Sequence, residues 1–203
     1  MPKRIFISAD HGMAIIYFLQ SDVVSTLLEA GVEVVVLTDD DTKDKIAAKF
    51  APLSEKSKGS LTFEGLKLKE AAKYANSVQP RWQWLLSSYL RRVGGSWRIN
   101  TEAMDSNIWE VWAENGWKFR LGIWIPSALA ILVLRSSRAA RKALVKAQMR
   151  FSPGLYSDLF DRYQPDLVIA STAGWRLDRY LLREAHQRGI PTLAAIVGWD
   201  NSS

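Results

Sequence analysis

The chain contains no cysteine, which excludes disulfides, thiolate zinc sites and thiol nucleophiles. Only two histidines are present, so a multi-histidine metal centre is disfavoured, and we expect no metal site. Neither G-x-G-x-x-G nor G-x-x-x-x-G-K-[ST] occurs, so no dinucleotide fingerprint or P-loop supports phosphate binding. A membrane-spanning helix needs roughly 20 apolar residues. The longest apolar stretch, Leu121 to Leu134, has 14 and is interrupted by Pro126 and Ser127. It reads as a buried or interfacial segment. The opening MPKRIFISAD runs quickly into Asp10 and His11, without the long apolar stretch and small-residue cleavage site of a secretory signal. A cytoplasmic location is expected.

What remains is the composition of a globular protein: 203 residues, 48% hydrophobic and 24% charged, enough for one domain with a full core. The formal net charge of +6 is unevenly spread. Residues 80 to 150 carry 12 basic and 4 acidic side chains, a net of +8, and the rest of the chain is slightly acidic at −2. Between residues 117 and 150 there are 8 basic side chains and no acid. Seven of the nine tryptophans lie between Trp82 and Trp124. One middle segment is thus both aromatic and cationic.

Hydrophobic patterning places βαβ units at the two ends of the chain. Lys3 to Ala9 reads as a buried strand, Met13 to Ala30 as a helix stopped by Gly31, and Val32 to Thr38 as a second strand. The β-branched run VEVVVLT has no polar face, as expected of a parallel strand covered on both sides. Near the end, Tyr156 to Tyr163 reads as a helix, Asp166 to Ser171 as a strand, Trp175 to Arg188 as a helix capped by Gly189, and Thr192 to Val197 as a last strand. Residues 51 to 66 are ambiguous, with Leu61 to Leu68 a candidate short strand, and residues from about 67 to 150 read as a helical insertion. The expected fold is therefore α/β, a Rossmann-like parallel sheet with helices on both faces and a large helical insertion, forming one domain over residues 1–203.

In such sheets ligands bind beyond the carboxyl ends of the strands. Asp10-His11-Gly12 after the first strand, Asp39-Asp40-Asp41 after the second, Ser171 to Gly174 after the third and Gly198 to Ser203 after the last should gather there. His11 is a candidate general base, because imidazole titrates near neutrality, and equally a candidate helix cap. Thr172 and Gly174 offer a hydroxyl and a close-approach backbone to a polar ligand, or simply a cap for the next helix. Trp199-Asp200-Asn201-Ser202 places an indole beside hydrogen-bonding groups, which suits a sugar ring, although an Asp/Asn turn with the indole packed inward has the same sequence.

The middle segment offers a different surface. At helical spacing Arg135, Arg138, Lys142 and Lys146 form one stripe, with Leu129, Val133, Ala140, Leu144 and Ala147 opposite. A solvated charged face is one reading. With Trp117 and Trp124 just upstream, an anionic membrane surface is the other. Nucleic acid is disfavoured, because the aromatics precede the basic helix as a block and no nucleic-acid motif is present.

The loop SADHGMAIIYFLQSDVVSTLLEAGVEVVVL, the strand YQPDLVIAS and the terminal IPTLAAIVGWDNSS resemble the N-terminal half of glycosyltransferases with the two-domain GT-B fold. The similarity is to bacterial surface-polysaccharide enzymes of glycerophosphotransferase and Kdo-transferase type, which carry a Trp-Asp-Asn motif after the last strand of the first domain. The resemblance implies transfer of a sugar from a nucleotide-activated donor to a cell-surface glycan or lipid-linked acceptor, at the inner face of the membrane. It implies that this chain is the acceptor side, that the donor-binding domain and its nucleotide sugar would follow Ser203, and that the isolated chain is inactive. By position, His11 and Asp200 would be the catalytic groups, and Asp10, Gly12, Thr172, Gly174, Trp199, Asn201 and Ser202 the substrate contacts. Two other expectations stand beside it: a non-catalytic α/β module that docks a partner or an anionic membrane through its basic, Trp-rich insertion, and half of a sugar-nucleotide epimerase.

Overall fold

The computed structural model describes residues 2–9, 11–55, 57–75, 137–149, 152–171 and 178–195. The chain divides into two compact units, Met1–Val78 with Ser152–Ser202, and Gln79–Phe151. The first is built on a five-stranded sheet of β1 (Arg4–Ala9), β2 (Glu33–Thr38), β3 (Ser60–Gly65), β4 (Leu167–Ala170) and β5 (Thr192–Ala194). All neighbours are parallel, in the order β3-β2-β1-β4-β5. Ile7 sits at the centre, in register with Val36 on one side and Ile169 on the other. This is the Rossmann-like α/β fold.

Residue alternation along the strands builds two cores, one on each face of the sheet. Ile5, Ile7, Ala9, Val34, Val36 and Ile169 meet the helical layer that follows β1 and β2. That layer comprises α1 (Gly12–Ile15), a π-helical turn (Ile16–Gln20), α2 (Asp22–Glu29), α3 (Lys43–Phe50) and α4 (Pro52–Glu55). Phe6, Val35, Leu37 and Val168 face the other way, onto residues of α5 (Leu68–Lys73), α7 (Ser157–Tyr163) and α8 (Arg179–Gln187). Phe6, Phe160 and Tyr156 are fully enclosed in this second core. Burying side chains of this kind contributes about 1.5–3 kcal/mol each. The second unit is described only through α6 (Arg138–Met149), where Ser137 Oγ accepts the amide of Ala140 at 3.2 Å.

The helix expected over Met13 to Ala30 is not continuous. Ser21 is extended (φ −89°, ψ 177°); its Oγ donates to the carbonyl of Tyr17 and accepts the amide of Val23, which ends the π-turn and caps α2. Gly31 (φ 80°) and Gly189 (φ 72°) take the left-handed conformation that stops α2 and α8, as their positions after each apolar run predicted. The ambiguous stretch resolves into a full edge strand, β3. Its burial pattern is only partial because one side has no neighbouring strand. The insertion expected from about residue 67 begins later, since α5 belongs to the first unit and the second starts at Gln79. The last strand is described only over Thr192–Ala194, shorter than the expected Thr192 to Val197.

Candidate functional site at the β1/β4 switch point

The crossover from β1 to β2 runs over one face of the sheet and that from β4 to β5 over the other. Their chains part at the carboxyl ends of β1 and β4, which lie side by side. A crevice at such a switch point is the usual ligand site of an open α/β sheet. Among the described residues it is flanked by Ser8 and Ala9 at the end of β1, by His11 and Gly12 beyond them, and by Ser171 after β4.

His11 is half-buried and extended (φ −152°, ψ 163°), and its Nδ1 accepts the amide of Ala14 at 3.1 Å. The capping role is therefore realised. The bond also fixes the chemistry of the ring, because a nitrogen that accepts carries no proton. Neutral His11 held this way has its proton on Nε2 and presents a donor there. Gly12 is exposed, and a Cβ at this position would meet nothing within 4 Å, so the protein itself makes no demand for glycine there.

Two buried polar groups sit at the strand ends, and of these Ser8 escaped sequence reasoning. Ser8 is fully buried on the face of Phe6, and its Oγ has no hydrogen-bond partner. Ser171 is 4% exposed. The signal for Ser8 was present as the single polar residue inside the run IFISA, but a strand read as wholly buried gives no reason to single it out.

The Asp39-Asp40-Asp41 loop lies at the same sheet edge, but its groups are occupied in building the loop. Asp39 Oδ1 accepts the amide of Asp41 at 3.1 Å, and Asp41 pairs with Lys69 at 2.6 Å. That bond raises the affinity of Lys69 for its proton. Asp40 lies against Gly65, and the amide of Leu66 donates to Thr38 O at 2.7 Å. The loop thus ties β2 to the β3–α5 turn.

Beyond this turn Tyr156 is enclosed, and its Oη donates to Leu66 O at 2.9 Å. Burial, reinforced by the charge of Asp178, pushes its phenol far up, so it stays protonated. The buried Glu184 of α8 accepts the Tyr156 amide at 3.1 Å and the Ser157 hydroxyl at 2.6 Å. These contacts pin the start of α7, where the chain returns to the first unit.

Of the other predicted site residues, Asp10, Thr172, Gly174, Trp199, Asp200, Asn201 and Ser202 lie outside the described residues, as do Trp117, Trp124 and Arg135. Arg138, Lys142 and Lys146 are all exposed on α6, whose sequence RAARKALVKAQM contains no acid, while Ala140 and Ala147 of the opposite stripe are half-buried. Among the described residues no group of three or more His, Asp or Glu is placed to hold a metal ion. Nor is any helix among them long and apolar enough to cross a membrane.

Comparison of the chain with protein-family models, curated proteins and solved structures finds no match. The fold and the switch-point crevice define the chain as a Rossmann-like α/β protein.

Proposed function

We propose that the chain is the acceptor-binding domain of a glycosyltransferase of GT-B type, acting on a cell-surface glycan or lipid-linked acceptor. The observation that carries this reading is the position of His11 at the β1/β4 switch point, with its ring oriented by the Ala14 cap. The resemblance of the terminal Trp199-Asp200-Asn201 segment to the glycosyltransferase motif supports it. In this reading the indole of Trp199 forms the flat wall for a sugar ring, and Asn201 and Ser202 supply edge hydrogen bonds. His11 donates from Nε2 to an acceptor oxygen. It becomes a general base only if the Ala14 cap is released, and Asp200 is the alternative group to take the acceptor's proton. The nucleotide sugar would be held by a further domain.

Saturation-transfer NMR of the chain with a panel of octyl glycosides tests this. Saturation on the sugar-ring protons is expected, lost in Trp199→Ala and weakened in His11→Asn. Asparagine keeps a capping oxygen, so His11→Asn should hold the melting temperature, whereas His11→Ala should lose about 0.5–2 kcal/mol of stability. No transfer to any glycoside, or transfer indifferent to Trp199, would reject the reading.

A second reading is supported by α6. Three exposed cations one turn apart, on a helix without an acid, suit an anionic lipid surface, so the chain would dock to membranes whether or not it turns over substrate.

A further inference from the structure

The helical segment entered from β1 is apolar on its outer face as well as its inner one. Over residues 12–20 the sequence GMAIIYFLQ holds no charged group. Ala14, Phe18 and Leu19 are buried in the core. Met13 is 51% exposed, Ile16 44% and Tyr17 37%. Spaced i, i+3 and i+4 across the junction of α1 with the π-turn, these three share one face. The next two helices of the same layer are ordinary by contrast: α2 exposes Asp22, Thr26 and Glu29, with Val23 a single apolar neighbour, and α3 exposes Asp44, Lys45 and Lys49.

A helix that is apolar all round belongs where apolar matter meets it on every side. The size of the strip limits what that matter is. A stable protein interface takes about 800 Å² from each partner, far more than three part-exposed side chains supply. A single hydrocarbon chain matches the strip, and Met13 adds a flexible thioether that adapts to an irregular apolar partner. With no charge from Gly12 to Ser21, such a chain lies down without taking an ion out of water. The position supplies the other end of the ligand. The strip begins two residues after His11, which caps this same helix at the carboxyl end of β1. A ligand with its polar head in the switch-point crevice therefore runs its tail along α1, and a bare glycan has no use for that surface.

We propose that Met13, Ile16 and Tyr17 seat the hydrocarbon chain of a lipid-linked acceptor and so select it over a bare glycan. The sugar end of that ligand rests on the glycosyltransferase reading; the apolar seat does not. Titration of the 203-residue chain with matched methyl and octyl glycosides of glucose, galactose and N-acetylglucosamine, below the micellar concentration, tests it, with 1-octanol as the sugar-free arm. An octyl glycoside should bind at least tenfold more tightly than its methyl partner. Only the octyl compounds should shift the Met13 methyl signal when the four methionines are labelled with carbon-13. Met13→Gln combined with Ile16→Gln should bring octyl affinity down to that of the methyl partner, whereas Met13→Leu with Ile16→Leu should keep the preference. Leu193→Gln, which removes another exposed apolar side chain, on β5, should also keep it. Octyl compounds binding no more tightly than methyl ones, a preference that survives the glutamine pair, or an unmoved Met13 signal would overturn the seat. Binding to neutral phosphatidylcholine vesicles that the glutamine pair abolishes, without any octyl preference in solution, would assign the strip to a bilayer surface and overturn it too. Octanol that binds and shifts Met13 as well as the octyl glycosides do would leave the seat standing and count against the glycosyltransferase reading alone.

Discussion

Gly59 lies so close to the carbonyl of Val32 that no side chain fits between them. A Cβ at Gly59 would overlap Val32 O and press on Leu28 O at 3.0 Å, while the Gly59 amide already donates to Leu28 O at 2.8 Å. Backbone, not a flexible side chain, is what would have to move. Gly59→Ala should therefore cost about 1–3 kcal/mol, in the range of overpacking. Gly65 is a useful contrast, because there the obstacle is the carboxylate end of Asp40, which can swing aside. Urea unfolding of the two variants should rank Gly59→Ala well below Gly65→Ala; equal stabilities would contradict the packing described.

Glu184 holds the start of α7 from below, through the Tyr156 amide and the Ser157 hydroxyl. Removing it leaves a buried amide without its acceptor. Glu184→Ala should lose about 1.5–3 kcal/mol, as expected for hydrogen bonds to a charged group. Glu184→Gln should lose less, since its oxygen can serve the Tyr156 amide and the Ser157 hydroxyl can rotate to accept from the new amide. Thermal unfolding of both variants checks the order.

Acid should weaken the fold through two tethers. The Lys67 ammonium bonds Asp158, and the Lys3 ammonium bonds Asp166; each holds its carboxyl below the usual carboxylate range. A carboxyl whose folded pKa is depressed contributes stability that is complete above the unfolded value and is lost as pH falls through the folded one. Stability should thus be level near neutrality on account of these groups and decline below about pH 4. Both carboxylates are largely exposed, so the loss is modest. Calorimetry from pH 7 to pH 3 should show a shallower acid decline in Asp158→Asn with Asp166→Asn than in the parent chain.

Co-sedimentation with vesicles tests the surface of α6. Binding should require anionic lipid, fall with added salt and drop when Arg138, Lys142 and Lys146 are replaced by glutamine. Equal binding to neutral vesicles would make these three exposed cations an ordinary solvated face.

The amino-acid sequence by itself determined the elements whose burial is complete. IFISA, VVVL and LVIA read as strands enclosed on both sides, and Gly31 and Gly189 mark where the apolar period stops. It also contained both roles of His11, without choosing between them. Where burial is partial, the local pattern was too weak: SLTFEG mixes polar and apolar residues because β3 is an edge strand, and KDKIAAKF is a helix whose mean pattern is polar. The break at Ser21 was equally hidden, since a serine inside an apolar period reads as a tolerated helix residue until its hydroxyl is seen to cap. Tertiary structure alone decided the strand order. The β1–β4 pairing depends on contacts between segments more than a hundred residues apart, as in Ile7 with Ile169, and no local signal encodes them. That order brings β1 beside β4 and creates the switch-point crevice. Tertiary packing likewise brought Tyr74, Tyr180 and the α8 arginines together, because which face of a helix is covered depends on the partner it meets.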